Sequence, residues 1–374
     1  MPVVMPIYGT RPEAIKMAPI VAALRKSEVL DCFVTVTGQH RSMLDQVNNL
    51  FGIEPDYDLN IFEPGQTLNG ILARTIDGLD KLFNVNRPDA VIVQGDTTTS
   101  TAAAMAAFYH GIPVVHVEAG LRSGNPFSPF PEEGNRKITS QIASLHLAPT
   151  EGSRQNLLAE NINPANIVVT GNTVIDALLA TVEKNVPFVD PELENLASSG
   201  RKVLLVTTHR RENQGEGMQG IGRALGRIAR AEPNLTIVLP IHANPVVREA
   251  VLPHLDGLDN VLVTEPLEYG EFTRLLSLAH IILTDSGGVQ EEAPSLGVPV
   301  LVLRENTERP EAVEAGVVKL IGTDEDRIVS EVDRLLHDRV YFNSMAEAMN
   351  PYGDGTAAAR SMVALENLLD KKVH

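Results

Sequence analysis

The chain has 374 residues, of which 43% are hydrophobic, and this is enough apolar material for two or three packed domains. A formal net charge of −17 argues against nucleic acid or an anionic membrane surface as a partner. The single cysteine, Cys32, excludes a disulfide framework and a cysteine-based zinc site, and no apolar run reaches transmembrane length. The first residues resemble a strand and not a signal peptide, so we expect a soluble cytoplasmic protein.

Short apolar runs alternate with helical patterns along the whole chain. Because the runs are apolar on both faces, they predict parallel β-sheets covered by helices on both sides, an α/β fold. The predicted strands are residues 3–8, 32–37, 90–94, 114–117, 145–148, 167–170, 203–207, 235–240, 261–264, 280–284 and 298–303. The helical patterns include residues 20–25, 155–161, 218–230, 325–336 and 356–369.

Two distant stretches share one pattern. Residues 90–117 and 281–304 each run from a strand into a polar turn, a helix and a second strand, the order of a parallel βαβ unit. The sequences Gly-Ile-Pro-Val (111–114) and Gly-Val-Pro-Val (297–300) hold the same place in both. The repeat predicts two Rossmann-like, doubly wound domains, over residues 1–170 and 171–355, with residues 356–374 as a separate C-terminal helical segment.

Polar residues follow the strands of the first half, where open α/β sheets bind ligands. Thr10 to Glu13 has the pattern of a capping box, and Arg11 and Lys16 add positive charge near that helix start. Both cations are candidates for contact with a phosphate, although charged residues at helix starts are usually just solvated.

Three carboxylates belong to the same predicted edge. Asp96 and Glu118 directly follow strands, and Glu132 lies in the loop beyond, with Arg136 close behind. Each alone would be a weak signal, because single carboxylates at strand ends are commonly caps. Together they favour acid/base chemistry, since carboxylates in differing environments can divide into acid and base.

The second half places cations after its strands. His209, Arg210 and Arg211 form either a solvated basic loop or a diphosphate clamp, because guanidinium groups suit phosphate oxygens and an imidazolium can protonate a leaving phosphate. His242 is either a structural histidine or a ligand contact. The turn Ser286-Gly287-Gly288 allows close approach of a ligand to the backbone, although such turns are often structural. Two polar edges predict one cleft between two domains.

One glycine-rich pattern does not indicate the dinucleotide site that it resembles. Residues 220–226, Gly-Ile-Gly-Arg-Ala-Leu-Gly, loosely resemble a dinucleotide fingerprint, but they lie inside a helical pattern well after the preceding strand. We interpret these glycines as sites of close helix packing and infer no NAD. The sequence has no P-loop and no pair of His or Cys residues with metal-site spacing, so no cofactor and no metal is predicted.

Eight stretches, in order over almost the whole chain, carry a resemblance to a known family. They are residues 9–19, 38–40, 94–97, 116–122, 129–136, 208–213, 285–292 and 307–311. In these stretches the chain is similar to the non-hydrolysing UDP-N-acetylglucosamine 2-epimerase family. The resemblance implies a two-domain fold of the glycosyltransferase-B type whose C-terminal helix returns to the N-terminal domain. It also implies reversible conversion of UDP-GlcNAc to UDP-ManNAc, no redox cofactor, a homodimer, and activation by UDP-GlcNAc itself.

The same resemblance assigns roles by position. Asp96, Glu118 and Glu132 resemble the acid/base carboxylates, and His209 resembles the residue that assists departure of UDP. The substrate contacts implied are Arg11, Lys16, Arg136, Arg210, His242, Phe272 (uracil), Ser286, Gly287, Gly288 (diphosphate turn) and Glu292 (ribose). Gln39, Ser42 and Arg210 correspond to the activator pocket. Many bacterial members carry Gln or Glu where Ser42 stands, and this departure concerns the strength of activation.

The implied mechanism is elimination of UDP to give 2-acetamidoglucal, followed by re-addition. Four alternatives remain at the level of sequence: a glycosyltransferase of the same fold, a non-catalytic UDP-sugar sensor, a hydrolysing epimerase that releases ManNAc, and a 2-epimerase acting on a 2,3-diacetamido-uronate sugar. Three carboxylates together favour an epimerase over the transferase and the sensor.

Overall fold

A computed structural model describes residues 1–370 and divides the chain into two compact units. Unit 1 comprises residues 1–177 and the segment from Tyr352 onward, and unit 2 comprises residues 178–351. Each unit has its own parallel sheet with helices between the strands. The predicted α/β class with two parallel sheets is confirmed.

The sheet of unit 1 has the strand order β4-β3-β1-β5-β6-β7-β8, and β2 also pairs with β1. All of these pairings are parallel, and the order reverses between β1 and β5. The strands are β1 Val3–Tyr8, β2 Asp31–Cys32, β3 Thr35–Val36, β4 Tyr57–Asp58, β5 Ala90–Gln94, β6 Val114–Val117, β7 Leu145–Ala148 and β8 Ile167–Val169. The helices are α1 Arg11–Arg25, α2 Arg41–Phe51, α3 Leu68–Val85, α4 Thr98–Tyr109, α5 Glu132–Ile142 and α6 Glu151–Ala159. The next helix, α7 Thr173–Lys184, begins in unit 1 and ends in unit 2.

Unit 2 repeats this plan with the order β11-β10-β9-β12-β13-β14, again all parallel. The strands are β9 Lys202–Thr207, β10 Leu235–Pro240, β11 Val261–Thr264, β12 Ile281–Thr284, β13 Val300–Val302 and β14 Val318–Leu320. The helices are α8 Pro191–Ser199, α9 Glu216–Ala231, α10 Pro245–Val251, α11 Tyr269–Leu278, α12 Gly287–Glu292, α13 Pro310–Glu314, α14 Glu325–His337 and α15 Arg339–Ala346. The order reverses between β9 and β12, and such reversals form the ligand crevice of doubly wound sheets.

The last described helix, α16 (Ala357–Asp370), packs against α1 in unit 1, as expected. Its amino-terminal N–H groups at Ala357 and Ala358 donate to the carboxylate of Asp176 in α7, at 3.2 and 2.8 Å. A helix start leaves its first N–H groups without partners in the helix, and a carboxylate satisfies them. This contact links segments that are far apart in sequence.

Two features of the sheets differ from the sequence prediction. Residues 32–37 do not form one strand; β2 and β3 both pair with β1 and are separated by a short break. The strands β4 and β14 were not predicted, because two- and three-residue segments are too short to show a periodicity. Both are edge strands, so they leave the order of the central strands unchanged.

Close packing explains the glycines of residues 220–226 in α9, which loosely resemble a dinucleotide fingerprint. A Cβ on Gly222 would lie 2.7 Å from the ring of His254, and one on Gly226 would lie 2.6 Å from the His254 carbonyl oxygen. Neither distance is compatible with a side chain. The interpretation that these glycines serve close helix packing is confirmed. Among the helices of residues 1–370, none has the length and apolar character needed to cross a membrane.

Candidate active site

The strand ends at the order reversal of unit 1 are tied together by Glu13. This buried carboxylate accepts hydrogen bonds from the backbone N–H groups of Gly9 and Thr10, at 3.0 and 2.8 Å, after β1. It also accepts one from the Thr97 hydroxyl, at 2.7 Å, after β5. Burial raises the pKa of Glu13 above its ordinary value, against the opposing effect of these bonds. Glu13 therefore sets the spacing of two neighbouring loops.

Glu118 follows β6 in a conformation that is unusual for a residue with a side chain. Its φ is +62°, in the left-handed region, where non-glycine residues are uncommon and often functional. Its carboxylate lies 2.5 Å from the Lys16 ammonium and accepts from Asn172 at 3.1 Å and from Gln94. Its side chain is only 8% exposed, so these donors offset the cost of burying its charge. Lys16, predicted as a phosphate contact, is thus engaged with a carboxylate here.

Asp96 is held by α5. The Arg136 guanidinium lies 2.7 Å from the Asp96 carboxylate and 3.1 Å from that of Glu133. Burial works to lower the pKa of Arg136, but the two carboxylates, Asp96 foremost, raise it above the ordinary value. Asn135 also donates to the Asp96 carbonyl at 2.8 Å.

Glu132 and Glu133 are adjacent but differ in environment. Glu133 is fully buried and accepts from the backbone N–H groups of Ser123 and Gly124, at 3.1 and 3.2 Å. Glu132 is half-buried at the start of α5, and its carboxylate forms no hydrogen bond with another residue in the described part of the chain. Glu133 is therefore a structural anchor of the loop, whereas Glu132 is available for another contact.

The remaining predicted residues of unit 1 lie around the same strand ends. Arg11 is exposed at the first position of α1 and forms no ion pair within residues 1–370. Gln39 follows β3 and accepts from the Thr99 hydroxyl at 2.7 Å. Ser42 is exposed in the first turn of α2.

In unit 2, the buried carboxylate of Asp285, directly after β12, holds the loop that follows β9. It accepts from the Thr208 hydroxyl and the backbone N–H groups of His209 and Arg210, each at 2.9 Å, and from the Asn213 amide at 3.1 Å. The Nδ1 atom of His209 lies 3.1 Å from the same carboxylate. Although burial acts to raise the pKa of Asp285, the His209 ring and the backbone donors lower it below its usual value.

This arrangement leaves one nitrogen of His209 available. Because Nδ1 faces Asp285, Nε2 is the ring atom that can meet a ligand. The His209 side chain is 41% exposed, and its ring stacks on His242 with centroids 5.8 Å apart. A histidine oriented by a carboxylate is a common way to fix both the tautomer and the direction of the ring.

Cations surround the turn after β12. Arg210 donates through Nε to the Asp285 carbonyl at 3.2 Å. A Cβ on Gly287 would lie 2.7 Å from Nη1 of Arg309, so only glycine lets this guanidinium lie against the turn. Arg309 also pairs with Glu291 at 2.7 Å. Ser286 is half-buried and Gly288 is exposed at the start of α12.

Three predicted nucleotide contacts occupy other parts of unit 2. Glu292, at the end of α12, is buried and accepts from the Tyr269 hydroxyl at 3.2 Å. Phe272 is half-buried in α11, and His242 is exposed after β10. Tyr269 has its pKa raised well above the ordinary value, by burial first and by Glu292 second.

Sequence patterns alone assign no catalytic or binding role to several residues of these networks. They are Glu13, Glu133, Asn172, Asp285 and Arg309. Asp285 had a usable signal, since it directly follows a predicted strand in Thr-Asp-Ser-Gly-Gly. Glu13 carried only the structural signal of the capping box. Asn172 gave none, because its partner Glu118 is distant in sequence.

A mixed cluster lies away from these strand ends. Nε2 of His337 is 2.8 Å from Glu232 and 3.6 Å from Asp333, and the three ligand-type atoms lie within 4.8 Å of one another. The Glu232 contact joins the C-cap of α9 to α14, and the Asp333 contact lies within α14, so both are ordinary contacts at the surface. The predicted site residues are not among these groups.

Comparison with known proteins assigns the family. A family model described as UDP-N-acetylglucosamine 2-epimerase matches residues 22–366. The UDP-N-acetylglucosamine 2-epimerase of Escherichia coli K12 is 52% identical over 377 residues, with 97% of this chain and 98% of the relative covered. The UDP-GlcNAc 2-epimerase of Neisseria meningitidis, solved bound to UDP-GlcNAc, is 48% identical with a TM-score of 0.84, covering 98% of this chain and 100% of that chain.

A more distant structure bears on the fold alone. The kitacinnamycin glycotransferase is 14% identical, with a TM-score of 0.68 over 98% of each chain. The predicted glycosyltransferase-B type is therefore confirmed as the architecture, and the relatives of high identity and full coverage define the family within it. This chain belongs to the UDP-N-acetylglucosamine 2-epimerase family.

Proposed function

We propose that this protein is a non-hydrolysing UDP-GlcNAc 2-epimerase, an isomerase that reversibly converts UDP-GlcNAc to UDP-ManNAc. The observation that carries the proposal is the full-length match to epimerases, one of which was solved with UDP-GlcNAc bound. The carboxylates of unit 1 and the oriented histidine of unit 2 supply the chemical groups that such a reaction needs.

The C2 proton of the sugar is not acidic, because no carbonyl group adjoins C2 in the ring. A carboxylate removes it as the C1–O bond to UDP breaks, and the electron pair forms the C1–C2 double bond of 2-acetamidoglucal. Protonation of C2 from the other face and re-addition of UDP at C1 complete the inversion. We assign these proton transfers to Asp96, Glu118 and Glu132 as a set.

UDP departure needs stabilisation of charge that grows on the diphosphate. His209 can provide it through Nε2, because Asp285 holds Nδ1. Arg210 and the Ser286-Gly287-Gly288 turn supply further donors, and Arg309 adds a guanidinium beside the turn. Preorganised groups of this kind stabilise a leaving anion without reorganisation during the reaction.

The nucleoside and sugar contacts complete the proposal. Glu292 is assigned to the ribose hydroxyls, Phe272 to the uracil and His242 to the nucleotide side. The further phosphate or sugar contacts assigned are Arg11, Lys16 and Arg136. The pairing of Lys16 with Glu118 and of Arg136 with Asp96 means that a substrate phosphate would share these cations with the carboxylates.

The decisive experiment uses UDP-GlcNAc as the sole substrate in heavy water. We expect UDP-ManNAc that carries one deuterium at C2, because the proton transfers pass through groups that exchange with solvent. We also expect no accumulation of UDP, because UDP is added back at C1. Asp96→Asn should lower turnover by about 100-fold or more, the scale of an acid/base contribution. Asp77→Asn, which removes an exposed carboxylate of α3, is the control and should retain activity.

Each rival predicts a different result. A glycosyltransferase leaves UDP-GlcNAc unchanged until an acceptor is added, and a sensor binds it without turnover. A hydrolysing epimerase releases UDP and free ManNAc in equal amounts. Parallel reactions with UDP-sugars that carry a 3-acetamido or uronate group separate the related 2-epimerase from the proposed one.

We also propose a homodimer that is activated by UDP-GlcNAc through Gln39, Ser42 and Arg210. Exposed aromatic residues at the end of α4, Phe108 and Tyr109, support an association surface on unit 1. Light scattering of the intact protein tests the assembly, and a monomer would contradict it. Activation predicts that trace UDP-GlcNAc accelerates conversion of UDP-ManNAc.

A further inference from the structure

His116 is a fully buried histidine of β6, two residues before Glu118. Its Nε2 lies 2.7 Å from the carbonyl oxygen of Gly95, the residue that directly follows β5. Burial lowers the pKa of His116 to about 4, so the ring is neutral at pH 7. A neutral ring bonded to a carbonyl must carry its proton on Nε2, and Nε2–H is therefore the donor.

The Gly95 residue is held from both sides by β6. Its N–H donates to the Val117 carbonyl at 3.0 Å, and its own carbonyl accepts from His116. Gly95 adopts a φ of +68°, a left-handed conformation that glycine enters and leaves easily. The Gly95 carbonyl belongs to the peptide group that also contains the Asp96 nitrogen. The hydrogen bond from His116 therefore fixes the orientation of this peptide plane, and with it the position of the Asp96 backbone.

We infer that His116 is a positioning residue of the epimerase reaction: its Nε2–H bond to the Gly95 carbonyl orients the Asp96 carboxylate relative to Glu118. A Cβ on Gly95 would lie 3.5 Å from the Glu118 carboxylate, so this peptide borders both acid/base groups. Small misplacements of such groups are costly, because proton transfer depends on alignment with the reacting atom. The inference rests on the proposed function.

His146 provides a matched control. It lies on β7 directly beside His116 in the sheet, is equally buried, and likewise has an Nδ1 atom without a partner among the described residues. The Gly95 carbonyl accepts from His116 and not from His146. Replacement of either histidine therefore removes a buried imidazole from the same face of the sheet. Only replacement of His116 also removes the hydrogen bond to the Gly95 carbonyl.

The test compares His116→Phe with His146→Phe, because phenylalanine keeps the ring and removes the donor. We expect His116→Phe to lower kcat for UDP-GlcNAc epimerisation by about 10- to 100-fold, with the dissociation constant of UDP changed less than about twofold. His146→Phe should retain kcat within about twofold. His116→Gln, whose amide can donate from the place of Nε2, should recover most of the loss.

Amide hydrogen exchange gives a readout that does not require turnover. Exchange over residues 95–98 should accelerate in His116→Phe and stay unchanged in His146→Phe. Equal losses of kcat in the two phenylalanine variants, or unchanged exchange at residues 95–98, would overturn the inference. A wild-type protein that leaves UDP-GlcNAc unconverted would instead overturn the proposed function, and the exchange data would still decide the role of His116.

Discussion

At the scale of single residues, Asp285 shows how a buried charge is tolerated. An isolated carboxylate in the interior costs several kcal/mol, and hydrogen bonds to its charged form offset that cost. Asp285 collects backbone, hydroxyl, amide and imidazole donors from the segment after β9. The same carboxylate therefore stabilises that loop and orients the histidine assigned to the leaving group.

Asp285→Asn should lower both stability and turnover. The NH2 group of the new amide would face the N–H groups of His209, Arg210 and Asn213, which now donate to the carboxylate. We expect the free energy of unfolding to fall by about 3 kcal/mol, as for other broken buried pairs. We expect kcat to fall at least about 10-fold, because the His209 ring loses its orientation. Urea denaturation and steady-state kinetics measure both, and Asp256→Asn, on an exposed surface of unit 2, is the control.

The pH dependence of this contribution has a definite sign. The folded-state pKa of Asp285 lies below the unfolded value of about 3.9. Its stabilisation is therefore complete above that pH and is lost as the pH falls through the folded value. If Asp285→Asn were as stable as the wild type at pH 7, the proposed role of the carboxylate would be wrong.

At the scale of elements, helix packing explains the glycines of α9 and the alanines of α4. Ala102, Ala103, Ala106 and Ala107 are all buried, so α4 has little polar surface and lies close to its neighbours α3 and α5. Small residues permit this approach because larger side chains would separate the helices. For that reason α4 does not show the separate apolar and polar faces of an amphipathic helix.

Replacement of two helix glycines by alanine should change the free energy of unfolding in opposite directions. Gly226→Ala in α9 should lower the free energy of unfolding by about 1–3 kcal/mol, because the new methyl group would meet the His254 carbonyl. Gly134→Ala in α5 has open space around its Cβ and should raise stability by about 0.5–1 kcal/mol through helix propensity. Urea denaturation of both variants tests the pair, and a stabilised Gly226→Ala would contradict the packing explanation.

At the scale of the whole molecule, buried histidines make stability depend on pH. Burial lowers the pKa of His116 to about 4 and that of His146 to about 3. In the unfolded chain both would titrate near 6.5. Below that pH the unfolded state binds protons that the folded state does not, so stability falls as the pH decreases.

This predicts a measurable slope. Between pH 6 and pH 5, each of the two histidines should reduce the free energy of unfolding by about 1 kcal/mol. Burial also lowers the pKa of His280 to about 4, so this histidine adds a similar contribution. Urea denaturation across this range should show the decline, and His146→Phe should make it shallower by about a third. An unchanged slope in His146→Phe would show that other groups cause the decline.

The sequence by itself determined the class of fold, the positions of the central strands and the residues that follow them. These are local properties, because short apolar runs, glycine turns and helical periodicity can be recognised from residues that are neighbours in the chain. The carboxyl ends of parallel strands share one edge, so the positions of Asp96, Glu118 and His209 directly after strands are enough to make them candidates.

Only the tertiary structure decided how those candidates are held. The bond of Glu13 to Thr97, the pairing of Lys16 with Glu118 and the contact of His209 with Asp285 each join residues many positions apart. The short edge strands β4 and β14 exist because a neighbouring strand offers partners, not because of their own pattern. Long-range contacts satisfy buried polar groups, and which groups meet depends on the path of the whole chain.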